Sequence, residues 1–288
     1  MKCPPDIPNC LTFDVEEWNR VNYAGVDQAQ FANAPHRLDV LMGRLLELCR
    51  ANQARCTFFV LGTIAESFPE VVKEIAAAGH EVASHGYSHR SLRDMTPAEF
   101  ADDLRRSCGL LEDLTGEKIR GFRAPSYSVT EETLPWFYQI LEQQGLAYSS
   151  SVFPGRTFLY GIPNFESGSH RPVIEGREVG IVEFPLPCVR LLGFDLGLYV
   201  RLFPAWFLRR RIMSDNAAGR STILYVHPRE IDPDQPRLPL KPATAFIHYF
   251  GIKRCEKKLN DLLRTTPGRF VALMDILDEL YKTRGNEV

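Results

Sequence analysis

Residues 71–89 read VVKEIAAAGHEVASHGYSH. Pro69 just before this stretch and Gly79 within it bracket a helical segment, and HEVAS follows at once as a short buried strand. The strand runs straight into His85, with His89 four residues on. A helix that returns directly to an apolar strand is the rhythm of a parallel βα sheet, and the rhythm continues on both sides. Upstream, Cys10–Asp14 reads as a strand and Cys56–Gly62 as another. Between them a helix from about His36 to Asn52 carries Leu38, Leu41, Leu45 and Leu48 on one face. Downstream, Thr96 and Glu99 form a capping box with Pro97 at the first helical position, opening a helix to about Gly116. GFRAP (121–125) is a fourth strand, Thr130 is the expected cap of the next helix, and AYSSSV (147–152) is a fifth strand.

From Phe153 to about Gly180 the rhythm breaks in a stretch rich in Gly, Pro and Ser, read as an insertion with two short hairpin strands. Periodicity resumes at VEFPLP (182–187). STILYVH (221–227) is the clearest late strand, rich in β-branched and aromatic residues, and Gly219 ends the helix before it. IDPDQPRLPLKP carries four prolines and must be irregular. Two helices, about Ala245–Leu263 and Phe270–Tyr281, close the chain.

The 288 residues are 44% hydrophobic and 24% charged, which excludes a disordered or collagen-like chain. A formal net charge of -2 gives no global basic field for nucleic acid. No run reaches the roughly 18 apolar residues of a spanning helix. Early prolines and acids stand where a signal peptide would have its apolar run, so the expected location is the cytoplasm. Seven cysteines (Cys3, Cys10, Cys49, Cys56, Cys108, Cys188 and Cys255) contain no CxxC pair. They are read as buried, inert thiols rather than a zinc knuckle.

The informative polar residues fall at the C-terminal ends of the expected strands, the face where a (β/α) barrel builds its site. His85 and His89 can bring two imidazoles to one metal, and a catalytic zinc then needs a third ligand and an open position. DVEE at the end of the first strand is the nearest source. Asp14 and Glu16 project to the same side, so one carboxylate can bind metal while the other acts as base. Arg123, in an apolar strand, needs a carboxylate partner, and Asp14 is the functional choice. His227 can donate a proton to a leaving amine. No GxSxG, GxGxxG, phosphate loop or HExxH is present, which removes the main support for serine hydrolase, dinucleotide and phosphoryl-transfer chemistry.

Taken in order, TFDVEE, CTFFVLG, GHEVASHGYSH, GFRAPSYS and LYVHPRE resemble the polysaccharide deacetylase (NodB homology) family of carbohydrate esterases, and most closely its exopolysaccharide-locus branch with a C-terminal extension. The resemblance implies an α/β fold, a distorted (β/α) barrel with about seven parallel strands over residues 1–230. An insertion lies at about 153–180, and a helical extension over 231–288 packs on the barrel. It implies one divalent metal, zinc first with Co2+, Ni2+ or Mn2+ as alternatives, held by Glu16, His85 and His89. Asp14 is then the base, Arg123 its orienting partner and His227 the general acid. Pro125, Ser126 and Tyr127 border the substrate, with the Tyr127 N–H facing the oxyanion.

The implied function is removal of N-acetyl groups from amino sugars of a bacterial surface polysaccharide or its lipid-linked precursor. The alternatives are a cyclic amide or imide hydrolase on the same barrel and an inactive glycan-binding protein. Three departures from the family pattern stand out. Glu16 replaces the usual Asp, and Glu17 beside it is a competing ligand. Ser149 stands where the branch has Asp. The Gly-rich turn usual before the YFR-like segment is shortened to GLYVRLFP. A basic and aromatic cluster in Leu198–Met213 (Arg201, Leu202, Phe203, Trp206, Phe207, Leu208, Arg209, Arg210 and Arg211) suits peripheral contact with the inner face of a membrane.

Overall fold

The computed structural model describes residues 7–21, 26, 28–31, 33–157, 161–191, 194–197 and 199–282. Seven strands form one sheet: β1 (Cys10–Val15), β2 (Thr57–Val60), β3 (Glu81–Ser84), β4 (Gly121–Phe122), β5 (Tyr148–Ser149), β6 (Val182–Glu183) and β7 (Ile223–Val226). Their order is β7-β1-β2-β3-β4-β5-β6, and every pairing is parallel. No ladder joins β6 to β7 among the described residues, so the sheet curls as a half-barrel, the distorted barrel expected from the sequence.

Nine helices are present among the described residues, six between strands and three after β7: α1 (Leu38–Ala51), α2 (Gly62–Ser67), α3 (Pro69–Ala77), α4 (Pro97–Thr115), α5 (Leu134–Gln143), α6 (Ala205–Ala217), α7 (Pro242–Tyr249), α8 (Ile252–Thr265) and α9 (Leu273–Lys282). Leu38, Leu41, Leu45 and Leu48 of α1 are buried, as their spacing requires. Thr96 caps α4 in a reciprocal box with Glu99, and Gly116 ends that helix in the left-handed region. Phe13 of β1 stacks on Phe58 of β2 at 4.8 Å between centroids. Phe100, Phe122 and Phe137 fill the far side of the sheet, so burial of these rings supplies much of the cohesion between sheet and helices.

Several expectations change. Thr130 does not cap α5: its N–H donates to Thr133 Oγ1 at 2.8 Å in a preceding turn, and the helix begins at Leu134. The helix expected over 245–263 is two helices, because Gly251 has φ +81 and a Cβ there would lie 2.4 Å from Arg201 O. Phe270 is not helical. It bridges Asn9, and the Val271 N–H donates to Asn9 O at 2.9 Å, tying the start of α9 to β1. The insertion contains the expected hairpin, Val173–Ile174 with Arg177–Glu178. A second hairpin, Cys188–Leu191 with Phe194–Gly197, adds to the expected elements. Cys10, Cys49, Cys56, Cys108 and Cys255 are buried free thiols, Cys188 is half-buried, and Cys3 lies outside the described residues.

The closing helices share the main core with the sheet through Cys255, Leu259, Leu262 and Leu263. Asn52 donates to Asn260 at 2.9 Å, and Lys258 Nζ donates to the carbonyls of Val200, Arg201 and Phe203. The Leu198–Met213 cluster is largely absorbed by this packing. Leu208 and Ile212 are buried, Arg201 is buried against Glu230, and Arg211 pairs with Asp215 at 2.7 Å. Trp206, Arg209, Arg210 and Met213 remain exposed, and Leu198 lies outside the described residues.

Candidate functional site

At the carboxyl edge of the sheet, Asp14 and Glu16 leave β1, His85 leaves β3, Arg123 leaves β4 and His227 leaves β7. Gly86, at φ +77, turns the chain after His85. The loop then returns His89 to the same point, itself at φ +59, a strained conformation for a non-glycine residue. Nε2 of His85 and Nε2 of His89 lie 3.1 and 2.9 Å from one oxygen, Glu16 Oε1. Ligand-capable atoms of the three residues all lie within 4.8 Å of one another, and all three residues are buried.

His85 Nδ1 lies 2.8 Å from Arg123 O. A carbonyl only accepts, so Nδ1 carries the hydrogen and the Nε2 lone pair of the neutral ring faces Glu16. Lone pairs converging on a carboxylate oxygen require a positive centre among them, either protons on the rings or a cation. Two imidazole nitrogens and one carboxylate oxygen are the donor set of a catalytic zinc site, so the residues fit a divalent metal. Burial opposes the charge on Glu16, but His89, His227 and His85 overcome it and hold the carboxyl well below its ordinary range. For His85, burial disfavours the cation, yet Asp14 and Glu16 outweigh it and raise its pKa.

Asp14 is held separately. Arg123 Nη1 donates to Asp14 Oδ1 and to Thr12 Oγ1, each at 2.7 Å. Its Nε and Nη2 donate to Ser150 O and Ser150 Oγ at 3.1 and 2.9 Å. The guanidinium lies 4.1 Å from the centroid of the Phe59 ring. This fully buried cation is therefore satisfied on each nitrogen, which is what lets it remain in the core. His227 Nε2 faces both carboxylates, 3.9 Å from Asp14 Oδ2 and 3.9 Å from Glu16 Oε2. Its Nδ1 lies 2.8 Å from Glu230 Oε1. Glu230 is pulled down to about 2: burial works against the charge, but Arg201, His227 and Arg229 overcome it.

Ser126 and Tyr127 line the same cleft, at φ 54 and φ 50 in a tight turn, while Pro125 is buried behind Gly86. The Tyr127 N–H does not point freely at an oxyanion: it donates to Ala124 O at 3.0 Å and closes the turn. Glu17 lies outside the His–His–Glu16 group among the described residues. Its Oε1 accepts from the N–H groups of Arg37 and Leu38 at 3.2 and 3.3 Å, which anchors the start of α1. Ser149 lacks the carboxylate of the branch; its register partner Glu183 accepts from the Ser151 and Val152 N–H groups at 2.7 and 2.9 Å.

Sequence reasoning passed over Arg229, Glu230, Tyr199, Tyr225, Gln235 and His248 as cleft residues and read Arg201 into the membrane cluster; with Arg20, Val21 and Ile252 they complete the cleft lining. The available signal was HPRE itself: Pro228 opens a tight turn after β7, and Glu230 is placed three residues from His227 to cap it.

A curled parallel sheet thus carries at its carboxyl edge a His–His–carboxylate cluster and a second, arginine-held carboxylate. Two family models match the chain: "Polysaccharide deacetylase" over residues 31–148 and "Domain of unknown function (DUF3473)" over residues 150–277. The peptidoglycan deacetylase of Helicobacter pylori is 32% identical over 158 residues, covering 51% of this chain and 53% of that protein. The peptidoglycan deacetylase-like protein of Gibberella zeae is 32% identical over 157 residues, covering 50% and 45%. The chain thus spans about half the length of these curated relatives.

Among solved structures, a candidate polysaccharide deacetylase from Mycobacterium smegmatis aligns with a TM-score of 0.65 at 19% identity, covering 97% of this chain and 93% of that one. A CE4 family pseudoenzyme from Bacillus anthracis aligns at 0.51 and 16% identity, covering 96% and 67%. Both share the fold. Residues 31–148 thus carry a polysaccharide deacetylase domain.

Proposed function

We propose that the protein is a metal-dependent N-deacetylase acting on N-acetylated amino sugars of a bacterial surface polysaccharide or its lipid-linked precursor. The observation that carries this reading is the separation of the two carboxylates: Glu16 faces the two histidines, whereas Asp14 is held by Arg123 and faces His227. Glu16, His85 and His89 would hold the metal, zinc first. A divalent cation there supplies Lewis-acid polarisation of the amide carbonyl and of the attacking water.

The chain's own residues do the rest. Asp14, paired with Arg123 and aimed by it, takes the proton of the attacking water. His227, oriented by Glu230, gives a proton to the departing sugar amine. Ser126 and Tyr127 wall the substrate side of the cleft, and the Tyr127 N–H reaches a developing oxyanion only by sharing its hydrogen with Ala124 O. On this reading the DUF3473 segment has a role in the chemistry, since it supplies β6, β7, His227 and Glu230 to a site whose histidine pair lies in the deacetylase segment.

Metal content and acetate release from N-acetylated chito-oligosaccharides, for wild type and Asp14→Asn, test the reading. About one metal per chain, with acetate release lost in the variant while the metal stays, is expected. Metal without acetate release from any N-acetylated glycan, together with turnover of a cyclic amide, would replace it with the imidase reading. No metal under any loading condition, with glycan still bound, would leave a binding protein.

The location we propose is the inner face of the membrane. No helix among the described residues is long and apolar enough to cross one. Contact would come from exposed Trp206 near Arg209 and Arg210 in the chain, with exposed Phe246, Ile247 and Phe250 of the α7 elbow, near Lys253 and Arg254, as further candidates. Co-sedimentation with anionic vesicles, lost in Trp206→Ser with Phe246→Ser, is the expected result. No sedimentation of the wild type at low salt removes membrane contact from the proposal.

A further inference from the structure

Glu16 uses its two oxygens for different partners. Oε1 faces the two histidines, and Oε2 accepts from Arg229 Nη1 at 2.8 Å. Glu16 is 2% exposed, so this contact is made in a nearly dry environment, where a charge-assisted hydrogen bond is strong and directional.

Arg229 is itself fixed from behind. It sits in the turn Pro228–Ile231 after β7, the strand that pairs with β1. Its carbonyl accepts from Gln235 Nε2 at 2.7 Å and from the Asp232 N–H at 3.2 Å. The guanidinium therefore reaches Glu16 from a backbone held at three adjacent points: the ladder with β1, the 228–231 turn and the Gln235 side chain.

Glu has one more rotatable bond than Asp, and a ligand carboxylate free at that bond can swing both oxygens toward a metal or turn away from it. We infer that Arg229 is a positioning residue for the metal-binding carboxylate: by occupying Oε2 it leaves Oε1 as the single ligand oxygen and takes up the extra methylene of Glu16. The inference rests on the triad of the proposed function and is independent of the substrate.

Two physical effects of Arg229 have opposite signs. A guanidinium near a cation site repels the cation, whereas a fixed ligand lowers the entropy lost on binding. The carboxylate turns Oε1 to the histidines and Oε2 to Arg229, which sets its negative charge between the two, and on this ground we take the geometric effect as the larger. Outer partners of metal ligands commonly carry about 10- to 100-fold in affinity, and the loss expected here is of that order.

The test is zinc affinity by competition with a chromophoric chelator, with the visible spectrum of the cobalt-loaded protein as a second readout, neither of which needs turnover. Arg229→Ala is expected to weaken zinc binding about 10- to 100-fold and to change the cobalt spectrum, and Arg229→Lys to recover part of the loss. In a Glu16→Asp background, where the shorter side chain draws its carboxylate away from Arg229, the same Arg229→Ala change is expected to have little further effect, a non-additive cycle.

Tighter zinc binding in Arg229→Ala would mean that repulsion dominates, and it would overturn the inference. So would losses of equal size with and without the Glu16→Asp change. Arg229→Gln, which retains length and a donor, serves if the alanine variant fails to fold. Wild-type protein that takes up no metal refutes the triad itself, an outcome distinct from wild-type uptake that Arg229→Ala leaves unchanged.

Discussion

Arg123 grips two parts of the site at once: its guanidinium donates to Asp14, and its main-chain carbonyl accepts from His85 Nδ1 at 2.8 Å. On the proposed mechanism the side chain serves the base while the backbone serves the metal ligand, and the two functions can be separated by mutation. Arg123→Lys keeps a positive charge but not the fork that reaches Asp14, Thr12 and Ser150 together. Acetate release is expected to fall by about 10²-fold or more with metal content unchanged. Elemental analysis beside the kinetics checks it, and loss of metal would place the side chain in the metal site instead.

Stability separates Asp14→Asn from Asp14→Ala. Both changes remove the counter-charge of a fully buried guanidinium, but the asparagine amide still accepts from Arg123, whereas alanine also leaves that donor without its acceptor, a loss of about 3–5 kcal/mol. Chemical denaturation should show the asparagine variant less stable than wild type and the alanine variant lower still. Equal midpoints would mean that Thr12 and Ser150 suffice to hold Arg123.

Glu230 sets an acid limb to stability. Its pKa falls from the ordinary 4.5 in the unfolded chain to about 2 in the folded one, so the folded form favours the ionised state. The contribution is complete above pH 4.5 and is lost as pH falls through that value toward 2. For Glu230→Gln, stability measured against pH should decline less steeply over that window. An unchanged slope would show that other carboxylates govern acid unfolding.

Ser149 and Glu183 are register partners, and together they offer one buried carboxylate. Ser149→Asp adds a second beside it. Because burial already raises the pKa of Glu183, the new charge is expected to cost about 3 kcal/mol or more, seen as a lower melting temperature. Ser149→Asp with Glu183→Ser should recover most of the loss, since the pair then again holds one carboxylate. A double variant no better than the single would tie Glu183 to its place on β6.

Gly251→Ala probes the elbow between α7 and α8. At φ +81, with Arg201 O 2.4 Å from the added Cβ, the substitution should destabilise by about 1–2 kcal/mol or more and displace His248, which lines the cleft. A thermal midpoint equal to wild type would mean that the elbow yields at no cost.

Much of the site was legible because strand ends carry their chemistry in the local string: Asp14, His85, Arg123 and His227 each close an apolar run. Partnerships were less so. Nothing near DVEE in the chain says that Glu17 anchors α1 or that Arg229, far along the chain, takes the second oxygen of Glu16. What stands opposite Ser149 was hidden too, because Glu183 lies across a ladder, in register but not in sequence. Arg201 and Arg211, read into a membrane-facing cluster, are ion-paired, since helix periodicity alone does not reveal what packs against a basic face. Gly251 was the missed helix breaker, its role set by the approach of Arg201 O rather than by a turn motif.

The last strand of the sheet pairs with the first: Phe13 sits opposite Val226, so Asp14 and His227 are neighbours across a ladder that spans most of the chain. During synthesis β1 emerges early and must wait for β7, and a contact so distant in sequence forms late because a long loop has to close first. A nascent chain that has passed Arg123 already holds the histidine pair, both carboxylates and the guanidinium. It lacks the residue assigned to proton donation, and the carboxylate edge of β1 stays uncovered. Competence for the proposed chemistry is therefore acquired in a single late event, the docking of β7, which also brings Arg229 onto Glu16.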